Sequence, residues 1–83
     1  MILKLFTQPT CPRCPAAKKV VAQVENRVKV ENYDVKTEDG LAVALEYDIL
    51  ATPSIVITSH DGEILGQWSG QTQTIEELNR VLK

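Results

Sequence analysis

The two cysteines of the chain lie two residues apart, in a pattern that suits reversible redox chemistry. Cys11 and Cys14 are the only cysteines among the 83 residues. The apolar run over residues 2–6 predicts a strand before them, and residues 16–27 predict a helix after them. A Cys-x-x-Cys motif between a strand and a helix is typical of a dithiol that cycles to a disulfide. We therefore predict thiol–disulfide chemistry at Cys11 and Cys14.

The same motif is also half of a zinc site. A structural zinc site has four ligands, and His60 is the only other Cys or His in the chain. A four-ligand Cys/His site within one chain is therefore excluded. A metal or iron–sulfur cluster shared between two chains stays open, and so does inert packing of two small apolar side chains.

Length and composition predict one small globular domain. The chain has 83 residues, 43% of them apolar and 24% charged, which allows a modest core and argues against disorder. A net charge of −2 offers no electrostatic footprint for nucleic acid or an anionic membrane. The sequence contains no leader-type segment and no apolar run approaching about 18 residues. We expect a monomer in the cytoplasm, where reducing conditions suit a dithiol that cycles.

The first helix is expected to begin at or just after Cys11, because Pro12 suits the first helical position. Pro15 is tolerated so near the start, where it removes at most one backbone hydrogen bond. Behind it, five apolar side chains recur at helical spacing: Ala17, Val20, Val21, Val24 and Val28. This stripe predicts a face of the core and no cofactor site.

The rest of the chain predicts four more elements after a second strand. Residues 28–35 alternate between apolar and polar side chains, as a strand with one solvated face does. A turn over residues 37–40, in which Thr37 or Asp39 is the cap, leads into a short helix over about residues 41–49. Residues 55–58 and 63–68 then predict a hairpin, with Gly62 supplying the positive φ of its turn.

A terminal helix completes the order β-α-β-α-β-β-α. Thr74 and Glu77 form a capping box at its start. We expect the first half to form a parallel strand pair with a right-handed crossover and the second half to form an antiparallel hairpin.

The sequence resembles the thioredoxin/glutaredoxin superfamily in its shortest form, over essentially the whole chain. The resemblance is carried by the element order, by Cys-Pro-Arg-Cys at residues 11–14, and by Ala-Thr-Pro-Ser at residues 51–54. It implies an α/β, thioredoxin-like fold over residues 1–83, with a four-stranded mixed sheet and helices on both faces. It also implies that a cis peptide bond precedes Pro53, opposite the dithiol.

The resemblance further implies a division of labour between the cysteines. Cys11, at a helix N-terminus, is expected to have a pKa below the free value of about 8.5 and to attack a substrate disulfide. Cys14 is expected to be more buried and to resolve the mixed disulfide. Pro12 and Arg13 are candidates for tuning the pKa and the reduction potential.

Thr52 and Pro53 are implied to form the substrate-binding edge. In the family, the residue before this proline offers its backbone N–H and C=O groups to an extended substrate strand. No cofactor beyond the Cys11–Cys14 disulfide and no metal is implied.

Departures from both branches of the superfamily bear on the electron donor. Residues 8–10 contain no basic side chain, and residues 69–72 contain neither the Gly-Gly pair nor the carboxylates that hold glutathione. Arg13 stands where an aromatic residue is common in glutaredoxins. Thr10 stands where thioredoxins carry an aromatic residue, and Leu5 where they carry a buried acid that helps to deprotonate the resolving cysteine.

We therefore predict a small thioredoxin-like protein-disulfide reductase. Its expected partners are protein disulfides and a flavin-dependent thioredoxin reductase as electron donor, and glutathione is disfavoured. The alternatives are a glutathione-dependent glutaredoxin, a dimer-bridged iron–sulfur or metal carrier, and a docking module in which the dithiol is incidental.

Overall fold

The computed structural model describes residues 1–49, 51–70 and 75–82. Within them the elements follow the predicted order β-α-β-α-β-β-α. Their bounds are β1 Ile2–Thr7, α1 Cys14–Ala22, β2 Lys29–Asp34, α2 Glu38–Glu46, β3 Ser54–Thr58, β4 Ile64–Ser69 and α3 Ile75–Leu82. In this part of the chain, no helix is long and apolar enough to cross a membrane.

The four strands form one mixed sheet in the order β2-β1-β3-β4. β1 runs parallel to β2 and antiparallel to β3, and β3 and β4 form the antiparallel hairpin. Phe6, near the end of β1, pairs with Ser54 at the start of β3. The segment after β1 and the segment before β3 therefore leave the sheet at the same end, and this brings the cysteines and Pro53 together.

Helices cover both faces of the sheet, as predicted. Leu3 and Leu5 of β1 point to the face packed by α1 and α3, whereas Phe6 points to the face packed by α2. This follows from the period of two in a strand. The larger core cluster contains Leu3, Leu5, Ala17, Val21, Val24, Val28, Ile55, Ile57, Leu78 and Leu82. The stripe predicted on the first helix is thus core, and Trp68 packs partly against the same cluster.

The first helix begins later and ends earlier than predicted. It spans Cys14–Ala22, with Arg13 as the N-cap. Its first backbone hydrogen bond runs from the Ala17 N–H to the Arg13 carbonyl, at 3.3 Å. A helix starting at Cys11 would need an N–H at Pro15, which proline lacks. Beyond Ala22 the chain continues in turns that shift to i→i−3 hydrogen bonds.

The second helix, in contrast, begins earlier than predicted, and it too ends earlier. Thr37 is the N-cap, and its Oγ1 accepts the Gly40 N–H at 3.0 Å. Residues 38–40, predicted as turn, therefore form the first turn of the helix. The helix ends at Glu46, and Asp48 has a φ of 57°, so residues 48–49 are not helical.

The hairpin turn matches its prediction. Gly62 has a φ of +90°, and its N–H donates to the Ser59 carbonyl at 3.1 Å. The predicted capping box at the last helix includes Thr74, which lies outside the described residues.

A partly buried ionic cluster joins β1 to β2 on the α2 face. Lys4 Nζ lies 2.6 Å from Glu31 Oε1, and the Tyr33 hydroxyl donates to the same oxygen at 2.7 Å. The hydrogen bond from Lys4, followed by that from Tyr33, lowers the pKa of Glu31. Burial lowers the pKa of Lys4, but the hydrogen bond to Glu31 and the neighbouring charges outweigh it and raise that pKa overall.

We expect Glu31→Gln to destabilise the protein at neutral pH by about 1 kcal/mol, a value discounted for the partial exposure of the pair. A carboxylate with a lowered folded-state pKa stabilises the fold above its unfolded pKa of about 4.3, and this stabilisation is lost as the pH falls through the folded value. The difference between wild type and variant should therefore shrink below about pH 4. Urea unfolding at pH 7 and pH 3 measures it. Glu25→Gln, at an exposed position between α1 and β2, is the control. If the unfolding free energies of wild type and Glu31→Gln differ equally at pH 7 and pH 3, the ionised Glu31 carboxylate does not supply this stability.

Candidate active site

The two cysteines are joined by a disulfide at the start of α1. Their Cα atoms lie 5.4 Å apart, and the structure is that of the oxidised form. Cys14 is the first residue of α1 and is 3% exposed, whereas Cys11 lies in the preceding turn and is 8% exposed. The sequence-based expectation of a more buried Cys14 is met. Cys11 is not itself in the first turn of the helix, because the helix begins at Cys14.

A tight turn positions Cys11 after β1. Its N–H donates to the Gln8 carbonyl at 3.2 Å, so residues 8–11 form a hydrogen-bonded turn. Pro9 occupies the second position of this turn, where its restricted φ is favoured. A turn over residues 7–10 is expected from the sequence, because Pro9 fixes its own φ, and the structure confirms it. No role for the Gln8 side chain was predicted.

Gln8 also connects the dithiol turn to the segment before β3. Its Nε2 donates to the Thr52 Oγ1 at 2.9 Å. The same residue thus supports Cys11 through its backbone and Thr52 through its side chain.

Pro53 is buried at the sheet end where the dithiol lies, and the peptide bond before it is cis, as the resemblance implied. Its carbonyl accepts the Gly70 N–H at 2.9 Å. Within the described part of the chain, no backbone hydrogen bond uses the N–H or C=O of Thr52. These two groups are therefore available to pair with another segment.

The two residues between the cysteines are both exposed. Pro12 precedes the N-cap, so it is not at the first helical position as predicted. The Arg13 side chain reaches the segment after β4, where its Nη1 donates to the Gly70 carbonyl at 3.3 Å. Arg13 therefore ties the start of α1 to the loop that also bonds Pro53.

The buried side chains of the described residues are almost all apolar. Leu5 is 1% exposed in the centre of the sheet, and among the described residues the buried polar side chains are the hydroxyls of Ser54 and Thr58. No buried carboxylate is thus found in the described part of the chain. In the same residues, no group of three or more His, Cys, Asp or Glu side chains is arranged to hold a metal ion.

Comparison with known proteins places this architecture in a family. The family described as a thioredoxin-like domain matches residues 2–83. A probable thioredoxin of Archaeoglobus fulgidus is 48% identical over 59 residues, covering 69% of this chain and 65% of that protein. The thioredoxin of Methanocaldococcus jannaschii is 44% identical over 66 residues, covering 77% of this chain and 76% of that protein. The chain thus spans just under two thirds of the first relative and about three quarters of the second.

Solved structures agree on the fold. Thioredoxin 1 of Thermosipho africanus superposes with a TM-score of 0.82 at 14% identity, covering 99% of this chain and 90% of that one. At that identity the likeness concerns the fold alone. The family match over nearly the whole chain, the similar relatives and this architecture lead to one conclusion: the chain belongs to the thioredoxin-like domain family.

Proposed function

We propose that the protein is a thiol–disulfide oxidoreductase that reduces disulfides in other proteins. The observation that carries the proposal is the bonded pair of Cys11 and Cys14, which lies beside the unpaired backbone edge of Thr52. The family membership and the thioredoxin names of its relatives support the same activity.

The proposed reaction has two exchange steps. In the reduced protein, the Cys11 thiolate attacks one sulfur of the substrate disulfide, forms a mixed disulfide and releases the other substrate sulfur as a thiolate. Cys14 then loses its proton and attacks the Cys11 sulfur. This closes the Cys11–Cys14 disulfide and releases the second substrate thiol. Two electrons pass to the substrate, and the dithiol itself carries them without a dissociable cofactor.

The roles of the two cysteines agree with their surroundings. Cys11 is the more exposed of the two and stands in a turn, where an incoming disulfide can approach it. Cys14 is nearly fully buried, which suits a thiol that reacts only with its neighbour. Since Leu5 replaces the usual acid and no buried carboxylate is found among the described residues, we propose that water or a released substrate thiolate takes the Cys14 proton.

Substrate binding is proposed to use the backbone of Thr52. An extended segment can pair with its N–H and C=O groups as an added strand. Pro53 has no N–H, and its carbonyl is already bonded to Gly70, so pairing does not continue into β3. The added strand is therefore short and centred on the residue beside the dithiol.

The electron donor is proposed to be a flavin-dependent thioredoxin reductase rather than glutathione. Glutathione carries two carboxylates, which need basic or amide donors. Arg13 is the only basic residue between residues 8 and 14, and its guanidinium donates to the Gly70 carbonyl. The Gln8 amide donates to Thr52. α2 begins at the same end of the sheet, since β1 and β2 are parallel and end together, and its first turn carries Glu38 and Asp39. These two carboxylates repel an anionic tripeptide.

The test is reduction of insulin disulfides with two donor systems. One contains NADPH and thioredoxin reductase, and the other contains NADPH, glutathione and glutathione reductase. We expect turnover with the first system and roughly tenfold lower turnover with the second. The loss is expected because the two carboxylates of glutathione find no hydrogen-bond donors on the protein. The reverse order would assign the protein to the glutaredoxins. No turnover with either would contradict disulfide reduction as the function.

A further inference from the structure

Gln8 bonds to both parts of the candidate site, the turn that carries Cys11 and the segment before β3. Its carbonyl accepts the Cys11 N–H at 3.2 Å, and its side-chain Nε2 donates to the Thr52 Oγ1 at 2.9 Å. Gln8 directly follows β1, which is paired on both sides in the sheet and ends at Thr7. A residue anchored to the sheet thus links the cysteine turn to Thr52.

The bond from Gln8 is the one hydrogen bond that Thr52 has within the described part of the chain. The residues next to Thr52 are held by other groups. The Ala51 carbonyl accepts the Ser54 hydroxyl at 2.5 Å, and the Pro53 carbonyl accepts an N–H from the segment after β4 at 2.9 Å. Among these hydrogen bonds, the one from Gln8 therefore orients Thr52 relative to the cysteine turn.

The link between Gln8 and Thr52 is uncharged and partly shielded from water. Both side chains are half-buried, so water competes less for their hydrogen-bonding groups than it does at an exposed site. An amide and a hydroxyl do not ionise in the pH range in which thiols react. We therefore expect the link to hold Thr52 in place at every pH at which the dithiol reacts.

Thiol–disulfide exchange depends on the placement of the two reactants. The attacking thiolate must approach one sulfur of the substrate disulfide while the other sulfur leaves. A misplacement of about 1 Å can slow such a reaction roughly a hundredfold. In this protein the attacking sulfur belongs to the cysteine turn, whereas the bound segment is proposed to pair with Thr52. The contact that joins these two parts therefore sets the geometry of the attack.

We propose that Gln8 is a positioning residue, which holds Thr52 and a segment paired with it in the orientation that attack by Cys11 requires. The proposal rests on the proposed disulfide reduction and adds a residue to it. Gln8 acts through the Thr52 side chain and the Cys11 backbone. A protein disulfide, whose backbone pairs with Thr52, therefore gains from the link, whereas a small disulfide without a peptide backbone does not.

The experiment removes the hydrogen bond with two substitutions that keep the shape of each side chain. Gln8→Met keeps an unbranched chain of similar length, and Thr52→Val keeps the branched shape, but each lacks one partner of the bond. The reduced proteins are oxidised either by insulin or by bis(2-hydroxyethyl) disulfide, and the loss of protein thiols is followed over time. The quantity compared is the ratio of the two rate constants. Because both rates come from the same folded protein, a loss of stability does not change this ratio.

We expect Gln8→Met and Thr52→Val each to lower the ratio of the insulin rate to the small-disulfide rate about fivefold, as loss of one neutral hydrogen bond allows. The double variant should fall no further than either single variant, because both remove the same bond. The pH midpoint of the small-disulfide rate should not change, since one neutral side chain replaces another. Gln23→Met, at an exposed position that ends α1, is the matched control and should keep the wild-type ratio.

Three results would overturn the positioning role. The first is an unchanged ratio in Gln8→Met. The second is a loss in the double variant equal to the product of the two single losses, because the side chains would then act independently. The third is a shift of the pH midpoint large enough to account for the loss, which would place the effect on the thiolate.

Failure of the wild-type protein to react with either disulfide would instead contradict the proposed function. In that case amide NMR of the oxidised protein still tests the link. Thr52→Val should shift the amide signals of Gln8 and Cys11, because the three residues are joined by the two hydrogen bonds. Shifts confined to residues 51–54 would show that Thr52 is not linked to the cysteine turn and would reject the proposal.

Discussion

Replacing Cys11 by serine is expected to abolish disulfide reduction, with a loss of about a thousandfold or more in turnover. A serine hydroxyl at this position remains protonated and cannot form the mixed disulfide. No other thiol can take its place at the surface, because Cys14 is 3% exposed at the first position of α1. Insulin reduction with the reductase system measures the effect.

Cys14→Ser is the matched partner of this variant, and it should behave differently. Cys11 remains able to attack, but no second thiol resolves the product, so one equivalent of substrate is expected to stay bound through a mixed disulfide. Mass spectrometry after mixing with a disulfide peptide detects this adduct, and a reducing agent should release it. If Cys11→Ser forms the adduct and Cys14→Ser does not, the roles of the two cysteines are reversed.

The two cysteine variants also distinguish a catalytic dithiol from an incidental one. If the protein is a docking module whose cysteines take no part in its function, the Cys11→Ser variant should keep the docking activity of the wild type. Far-ultraviolet circular dichroism of both variants shows whether the fold is retained. The contrast between two single-atom changes three residues apart then reports on chemistry rather than on folding.

Gly40→Ala is expected to destabilise the protein strongly, although helix propensity alone predicts the opposite. Gly40 lies in the first turn of α2, where alanine would be favoured by about 1 kcal/mol. A Cβ atom at this position, however, would overlap the Asp34 carbonyl oxygen and lie 2.6 Å from the carbonyl carbon. That carbonyl also accepts hydrogen bonds from the Thr37 N–H at 3.0 Å and the Thr37 Oγ1 at 2.7 Å, so it is held in place.

The overlap is with backbone, which cannot rotate away as a side chain can. We expect the clash to cost about 3 kcal/mol, leaving a net loss of about 2 kcal/mol after the gain in propensity. For a domain of this size the midpoint of thermal unfolding should fall by roughly 10 °C. Urea and thermal unfolding of wild type and variant measure both quantities.

Ala42→Gly provides the control for Gly40→Ala on the same helix. Ala42 is exposed, so its loss should follow propensity alone and cost about 1 kcal/mol. The structure thus predicts that adding a methyl group at residue 40 is worse than removing one at residue 42. A Gly40→Ala protein as stable as wild type would show that α2 does not approach the end of β2 so closely.

The sequence determined the order of the elements and the identity of the redox pair. A strand or helix is predicted from the periodic spacing of its apolar residues, and this spacing repeats along the whole element. An error of one or two residues in the ends of the element therefore does not hide its type. The stripe from Ala17 to Val28 thus predicted the core face of α1 and of the turns that follow it. The family resemblance, carried in part by Cys11, Cys14 and Pro53, implied that these residues meet at one end of the sheet.

The exact ends of the helices were decided by hydrogen bonds that no periodicity encodes. Pro15 lacks the N–H that would bond to the Cys11 carbonyl, so α1 begins at Cys14 and leaves Cys11 in a turn. Thr37, one of the two predicted caps, accepts the Gly40 N–H and so draws residues 38–40 into α2. The start of each helix thus depends on a single hydrogen-bond donor or acceptor, and the sequence allows more than one residue to take that part.

Only the tertiary structure decided what surrounds the dithiol. Gln8 and Thr52 are 44 residues apart in sequence, yet their side chains share a hydrogen bond beside Cys11. A cavity next to this hydrogen bond is likewise lined by residues just after β1, just after β2, on α2 and before Pro53, which the chain brings together only on folding. Local sequence patterns act over a few residues, whereas these contacts depend on the pairing of β1 with β3 and on the packing of α2 across the sheet. The redox pair was therefore predicted from two cysteines, whereas the side chains that surround it follow from the fold.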